Sequence, residues 1–174
     1  WLQLRWASVI LLGLISLMPL ISIQAYWFAR PGLYPSERNW LISVLILTTT
    51  IIPIIIFLMW YQGLPSLFEL SEASGRPDGV LVRYDASSIF SFGMSLSWIL
   101  VIWSVTTISL SLTRIYGMIK NGEIRFRKRL LAISTGVIVL SLPIEFDGLK
   151  IIIAIFSAIL SDFVSNSLPV RIIS

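Results

Sequence analysis

Uncharged, mostly apolar stretches alternate with short charged segments along this chain and determine its predicted architecture. Three of the stretches are long, with 24, 30 and 28 consecutive uncharged residues. About 20 predominantly apolar residues are enough for a helix to cross the hydrocarbon core of a bilayer. The pattern therefore predicts three long transmembrane helices, at about 6–29, 40–62 and 87–113.

The apolar sequence after the third stretch is shorter and interrupted. One run of 15 uncharged residues ends at Ile144, and another of 11 residues ends just before Asp162. A turn at 145–148 separates the two runs. We predict two shorter spans, 130–144 and 150–168, that form a helical hairpin. A re-entrant pair that never crosses the membrane is the alternative.

These segments together predict an all-α, multi-pass transmembrane helical bundle of about five spans, three long and then a shorter hairpin. It forms a single domain over residues 1–174, with an outer loop at 63–86 and a basic cytosolic loop at 114–129. Composition supports a membrane protein, because 56% of the residues are hydrophobic and 13% are charged. A soluble domain carries about 25% charged residues, and a small one has too little interior for this much apolar surface.

Lysine and arginine are distributed unevenly between the two sides that five spans would create. Nine basic residues fall on one side and four on the other. Short loops rich in basic residues stay in the cytosol, so we predict an outside N-terminus and a cytosolic C-terminus in a bacterial plasma (inner) membrane. The net charge of +4 then reflects topology rather than binding to nucleic acid. The chain begins with Trp1 rather than Met, as expected of a processed or partial chain.

The chain contains no cysteine and no histidine. Within it, this excludes disulfides, Cys/His zinc sites and catalysis by Ser-His or Cys-His pairs. We predict no enzymatic activity and no catalytic, metal-binding or cofactor-binding residues. A bound lipid or pigment would leave no signature in such a sequence.

Two sets of charged residues are the candidate functional groups. Asp162 is the one acid inside an apolar run, and an acid within a span is a candidate proton-relay or cation site because burying it is costly. The alternative places Asp162 at the level of the lipid headgroups. The second set, a candidate contact for anionic lipid or an acidic partner, consists of Arg114, Lys120, Arg125, Arg127, Lys128 and Arg129. The alternative there is a topology signal alone.

Small residues four positions apart predict close helix packing, because they let backbones approach within a bilayer. The pairs are Gly93 with Ser97, Ala132 with Gly136, and Ala154 with Ala158. Proline inside the first two spans predicts packing kinks at Pro19 and Pro53. Tryptophan inside the third span, at Trp98 and Trp103, is expected to face lipid, with a pigment or a partner as the alternatives.

Three functions of different classes remain open. The first is an accessory or structural subunit of a larger membrane complex, whose partners are the lipid bilayer and other membrane subunits. The second is the transmembrane sensory or anchoring region of a signalling receptor. The third is a small transporter or channel that works through Pro19, Pro53 and Asp162.

Overall fold

A computed structural model describes residues 2–73, 86–115, 124–142 and 146–167. In this part of the chain all regular secondary structure is helical, as the sequence predicts, and there is no strand. The α-helices are α1 (Leu2–Ala29), α2 (Pro35–Ile46), α3 (Ile52–Leu58), α4 (Leu64–Ala73), α5 (Ala86–Ile115), α6 (Ile124–Ser141) and α7 (Lys150–Asn166).

Helices α2, α3 and α4 form one continuous helical rod, which we call the α2–α4 rod. Wider π-helical turns at Leu47–Ile51 and Met59–Gly63 join its three parts. Pro53 lies in the first turn of α3, directly after the first π turn. Its missing N–H cannot donate to the preceding helix, and a π turn is a local way to accommodate such a break.

Three helical segments are long and apolar enough to cross a membrane: Arg5–Gly32, Pro35–Leu67 and Ser88–Ile115. The first two long predicted spans lie inside the first two segments, and the third, 87–113, overlaps the third segment in all but its first residue. The predicted outer loop differs, because the rod continues helically to Ala73 and only then leaves the described residues. Likewise α6 begins at Ile124, inside the predicted basic loop.

Helix α5 is the centre of the bundle. Half of the residues in its crossing segment are buried, against 33% for the rod and 17% for α1. One core cluster joins Leu11 of α1 and Ile56 of α3 to Met94 of α5. A second joins Ala29 and Leu41 to Ile108, nearer the other end of α5. Helix α1 is thus antiparallel to the rod, and α5 packs against both.

The hairpin of α6 and α7 packs on the remaining side of α5. Ile138 and Ala154 meet Ile102 of α5 in a third core cluster. At one end Phe146 stacks on Phe92, with ring centroids 5.6 Å apart. At the other end residues of α7 bond to Arg114. The hairpin therefore extends along about 33 Å of α5, at 1.5 Å per residue, which is comparable to the hydrocarbon thickness of a bilayer and favours two crossings over a re-entrant pair.

The two ends of the bundle carry different charges. The end that contains the α1–α2 connection, the last turn of α5 and the first turns of α6 is called the basic end. Its charged residues with described side chains are Arg30, Glu37, Arg38, Arg114, Arg127, Lys128, Arg129 and Asp162, a net charge of +4. At the opposite end the charged residues with described side chains are Arg5, Glu69, Asp147 and Lys150, a net charge of zero.

The rod and α5 approach each other closely at Gly93. A Cβ atom added there would lie 2.9 Å from Leu64 Cδ1 and 3.2 Å from Trp60 Cζ2. The indole of Trp60 packs edge-on against Phe90 and donates a hydrogen bond from Nε1 to Ser97 Oγ at 3.0 Å. Trp60 of the neighbouring rod therefore packs against the small pair predicted at Gly93 and Ser97.

The prediction for the tryptophans within the third span is wrong. Trp103 is buried at 8% exposure in the first core cluster, and Trp98 is half-buried beside it. Because other helices pack around the middle of α5, these two indoles lie in or beside the core instead of facing lipid. On α6 the small pair Ala132 and Gly136 faces outward, whereas Ala154 and Ala158 of α7 are buried.

Replacing Gly93 by leucine should destabilise the bundle, because the side chain would collide with Trp60 and Leu64. Overpacking of this kind costs about 1–3 kcal/mol. Thermal unfolding in detergent would measure the loss. Gly136→Leu is the matched control, since an added Cβ there meets nothing within 4 Å. Equal melting temperatures for the two variants would contradict the close approach.

The two crossings of the hairpin can be tested with single cysteines, because the native chain has none. Ser36→Cys at the start of α2 and Asp147→Cys in the α6–α7 turn are both exposed positions. We expect a membrane-impermeant maleimide to label them from opposite sides of the membrane, and to leave the outward-facing Gly136→Cys within the bilayer unlabelled. Labelling of both loop positions from the same side would establish a re-entrant hairpin.

Candidate functional site

The candidate acid Asp162 lies between two arginines at the basic end. Arg114 Nη2 donates to Asp162 Oδ1 at 2.9 Å. Arg127 donates from Nε to the same oxygen at 2.8 Å and from Nη2 to Asp162 Oδ2, which is a two-bonded contact. Since a fork of two N–H groups matches the two oxygens of a carboxylate, Arg127 also fixes the orientation of the acid.

Arg114 binds two further side chains of α7 besides Asp162. Its Nε donates to Ser165 Oγ at 3.1 Å, and its Nη1 donates to Asn166 Oδ1 at 2.8 Å. Residues 162, 165 and 166 lie on one side of α7 because positions three and four apart share a helix face. The planar guanidinium, with its five N–H donors, can therefore bond to all three side chains at once.

The cluster joins three helices at one level. Arg114 lies in the last turn of α5, Arg127 in the first turn of α6, and Asp162 in the last turns of α7. The side chain of Asp162 is 17% exposed and that of Arg114 is 13% exposed, whereas Arg127 is 40% exposed. This position at the end of the bundle agrees with the headgroup-level interpretation of Asp162.

The chemistry of the cluster favours a structural role over cation binding. Two guanidinium groups surround one carboxylate, so the three side chains together carry a charge of +1. A further cation would be repelled, and the carboxylate oxygens already accept three N–H bonds. Within the described residues there is also no group of three or more acidic residues that could hold a metal ion.

The six basic residues predicted as lipid or partner contacts divide into three groups. Arg114 and Arg127 are bound to Asp162. Lys128 and Arg129 are exposed on α6. Lys120 and the side chain of Arg125 lie outside the described residues. The sequence pattern identified both arginines of the cluster as candidates but did not pair them with Asp162. The signal that could have suggested a shared partner was the spacing of Asp162, Ser165 and Asn166 on one helix face.

Buried hydroxyl groups connect the helices deeper in the bundle. Thr106 and Ser134 share a hydrogen bond of 2.7 Å between α5 and α6. The hydroxyl oxygens of Thr107 and Ser161 lie 3.3 Å apart between α5 and α7. Thr106 and Thr107 also bond to carbonyls one turn back in α5. The predicted role of such residues in packing thus has a geometric basis.

The residues proposed for a transport path do not come together. Pro19 lines an open groove between α1 and α2 with Ser22 and Thr49. Pro53 lines a different, mostly apolar cavity of about 580 Å³ between α1, α3 and α5. Asp162 lines neither of them, because it is engaged at the basic end.

Asp162→Asn should destabilise the protein more than removal of either arginine. The amide would leave two guanidinium groups facing each other with no anion, a loss of about 2 kcal/mol for hydrogen bonds to charged groups. For a protein of this size that lowers the melting temperature by roughly 4–8 °C. Arg127→Gln should cost less, because Asp162 keeps its bond to Arg114.

Asp147→Asn is the matched control for this series. Asp147 pairs with Lys150 at 2.7 Å, but its side chain is 66% exposed, and exposed pairs contribute about 0–1 kcal/mol. Thermal unfolding in one detergent compares all the variants. If Asp162→Asn melted no lower than Asp147→Asn, the cluster would not be a stabilising connection.

Comparison with known proteins places this architecture in a family. No curated protein and no solved structure matches the chain. A family model described as "Sec-independent protein translocase protein (TatC)" matches residues 1–145, from α1 to the end of α6 and just beyond. That match covers well over half of the 174 residues and agrees with an all-helical, multi-pass bundle that has three long apolar helices. The chain belongs to the TatC family, whose members are integral membrane components of the Sec-independent translocase.

Proposed function

We propose that this chain acts as a membrane-embedded subunit of a Sec-independent protein translocase. The observation that carries the proposal is the family match over residues 1–145. The sequence-based prediction of a subunit of a larger membrane complex agrees with membership of this family. The finer assignment is that the bundle contributes to moving proteins across the membrane, together with other membrane subunits.

The surface of the bundle supports a protein that functions among partners. Helix α1 exposes large apolar side chains along its length, among them Val9, Leu12, Leu20 and Ile23, which are 56–63% exposed. Only 17% of its crossing segment is buried within the chain. Lipid and neighbouring membrane subunits are the environments in which such a surface is stable.

The charge of the two ends supports the predicted orientation. The charged residues with described side chains give the basic end a net charge of +4 and the opposite end zero. By the positive-inside rule, we place the basic end in the cytosol and the start of α1 outside, in a bacterial inner membrane. Helix α7 then ends on the cytosolic side, as α5 does.

The two other functions have less support. Nothing in the described residues points to a sensory role, and the family match gives no support to a receptor. A transport path would need Pro19, Pro53 and Asp162 in one place, yet they line different parts of the bundle. The ion pairs of Asp162 with two arginines also leave it without the free carboxylate that a proton relay needs.

Depletion of the protein in its own host should stop export of a Sec-independent cargo while a Sec-dependent cargo is still exported. Wild-type protein and Asp147→Asn should restore export. Export that continues unchanged after depletion would refute the proposed function. If Asp162→Asn restores export in proportion to the amount of the variant that remains folded, the cluster has a structural role. Loss of export with normal protein levels would instead give Asp162 a direct role.

Gentle-detergent purification from native membranes, followed by mass spectrometry, tests for partners separately. We expect other membrane proteins to co-purify in a fixed ratio. The protein alone, or a simple homodimer, would contradict a role as a complex subunit.

A further inference from the structure

Helix α6 has one face that points away from the rest of the chain. Its exposed positions recur every three or four residues, which is the period of one helix face. From the basic end inward they are Phe126, Lys128, Arg129, Ala132, Ile133, Gly136, Val137 and Leu140. We call this set the outer face of α6. It is basic at its start and apolar from residue 132 onward.

The dimensions of the outer face match one leaflet of a bilayer. From Arg129 to Leu140 the helix rises about 16 Å at 1.5 Å per residue. Half of the hydrocarbon core is about 15 Å thick. Ile133, Val137 and Leu140 are 67%, 44% and 87% exposed, as expected of side chains that contact acyl chains. A lipid beside them would have its headgroup at the level of Arg129.

The two cations at this level are available for a phosphate. Asp162 is the one acid of α5, α6 and α7 described at the basic end, and Arg114 and Arg127 already bind it. No ion pair of Lys128 or Arg129 occurs among the described residues. At the same end, Glu37 accepts a bond from the backbone N–H of Tyr34 at the start of α2. The charge of Lys128 and Arg129 is therefore not balanced by the acids described around them.

We propose that Lys128 and Arg129 bind the phosphate of an anionic phospholipid, whose acyl chain lies along the apolar part of the outer face of α6. The lipid belongs to the leaflet at the basic end. Arg114 and Arg127 have a different role, since they hold α5, α6 and α7 together and contribute background positive charge. This division does not depend on the proposed function, because it rests on the charge and exposure of α6 and on the ion pairs of Asp162.

The anionic headgroup is favoured over a zwitterionic one by charge. Each lysine or arginine near an anionic membrane surface contributes about 1 kcal/mol of attraction. Two such residues correspond to about a 30-fold difference in affinity. A zwitterionic lipid carries a cation of its own and would gain little of this attraction.

Native mass spectrometry of the complete protein in detergent tests the proposal. We would titrate it with phosphatidylglycerol and with phosphatidylcholine, and compare Lys128→Gln/Arg129→Gln with Arg30→Gln/Arg38→Gln. The control pair removes the same charge from two exposed residues at the same end of the bundle. Because the measurement is made in detergent, it is independent of membrane orientation, and melting temperatures would verify that both variants are folded.

The wild-type protein and the control pair should retain one phosphatidylglycerol in preference to phosphatidylcholine, and Lys128→Gln/Arg129→Gln should bind it about 30-fold more weakly. Short-chain phosphatidylglycerol should bind less tightly, and millimolar inorganic phosphate should not displace the lipid. Three results would overturn the proposal. The first is an equal loss of phosphatidylglycerol binding in both variant pairs, and the second is displacement of the lipid by free phosphate. The third is unchanged lipid binding with loss of a co-purifying subunit, which would make this face a protein interface.

Discussion

The packing of every other helix against α5 is the constraint on which the bundle depends. In a bilayer, lipid tails are as apolar as leucine, so burial from water does not drive helices together and close packing must do so. Helix α5 can be approached from several sides because small residues occur along it. Gly93 admits the indole of Trp60, and Thr106 and Thr107 bond to the hairpin.

Most buried polar groups of the bundle have a partner, as is required where water is absent; among the described residues, Trp103 Nε1 and Ser157 Oγ are the buried side-chain atoms without one. In the interior the partners are hydroxyl groups and backbone carbonyls, since Ser97 and Ser104 donate to the carbonyls four residues earlier. Full charges are confined to the ends, where water can complete their solvation. The ion-pair cluster of Asp162 lies at this boundary, which explains how an acid within an apolar run can be retained.

The sequence predicted the class of fold well and the contacts less well. Charge-free length alone identified the three long helices, because the hydrocarbon core requires it. The same pattern could not show that α5 is central, so Trp98 and Trp103 were assigned to lipid although they pack inside. The pairing of Asp162 with Arg114 and Arg127 joins residues 48 and 35 positions apart. No local pattern encodes such a contact. The helix-face spacing of the residues that bind Arg114 was visible, but their partner was not.

The helices differ in how they are held, and this bears on assembly. Helices α5, α6 and α7 are joined by hydrogen bonds at the level of Thr106 and Thr107 and by ion pairs nearer the basic end. Helix α1 packs largely through apolar contacts, and the hydroxyl groups of Ser22 and Thr49 also bond between it and the rod. Dispersion contacts between apolar side chains can be exchanged for lipid or another helix at little cost, whereas an ion pair at low solvent exposure cannot. Rearrangement during assembly should therefore be easier at α1 than in the three-helix unit around α5.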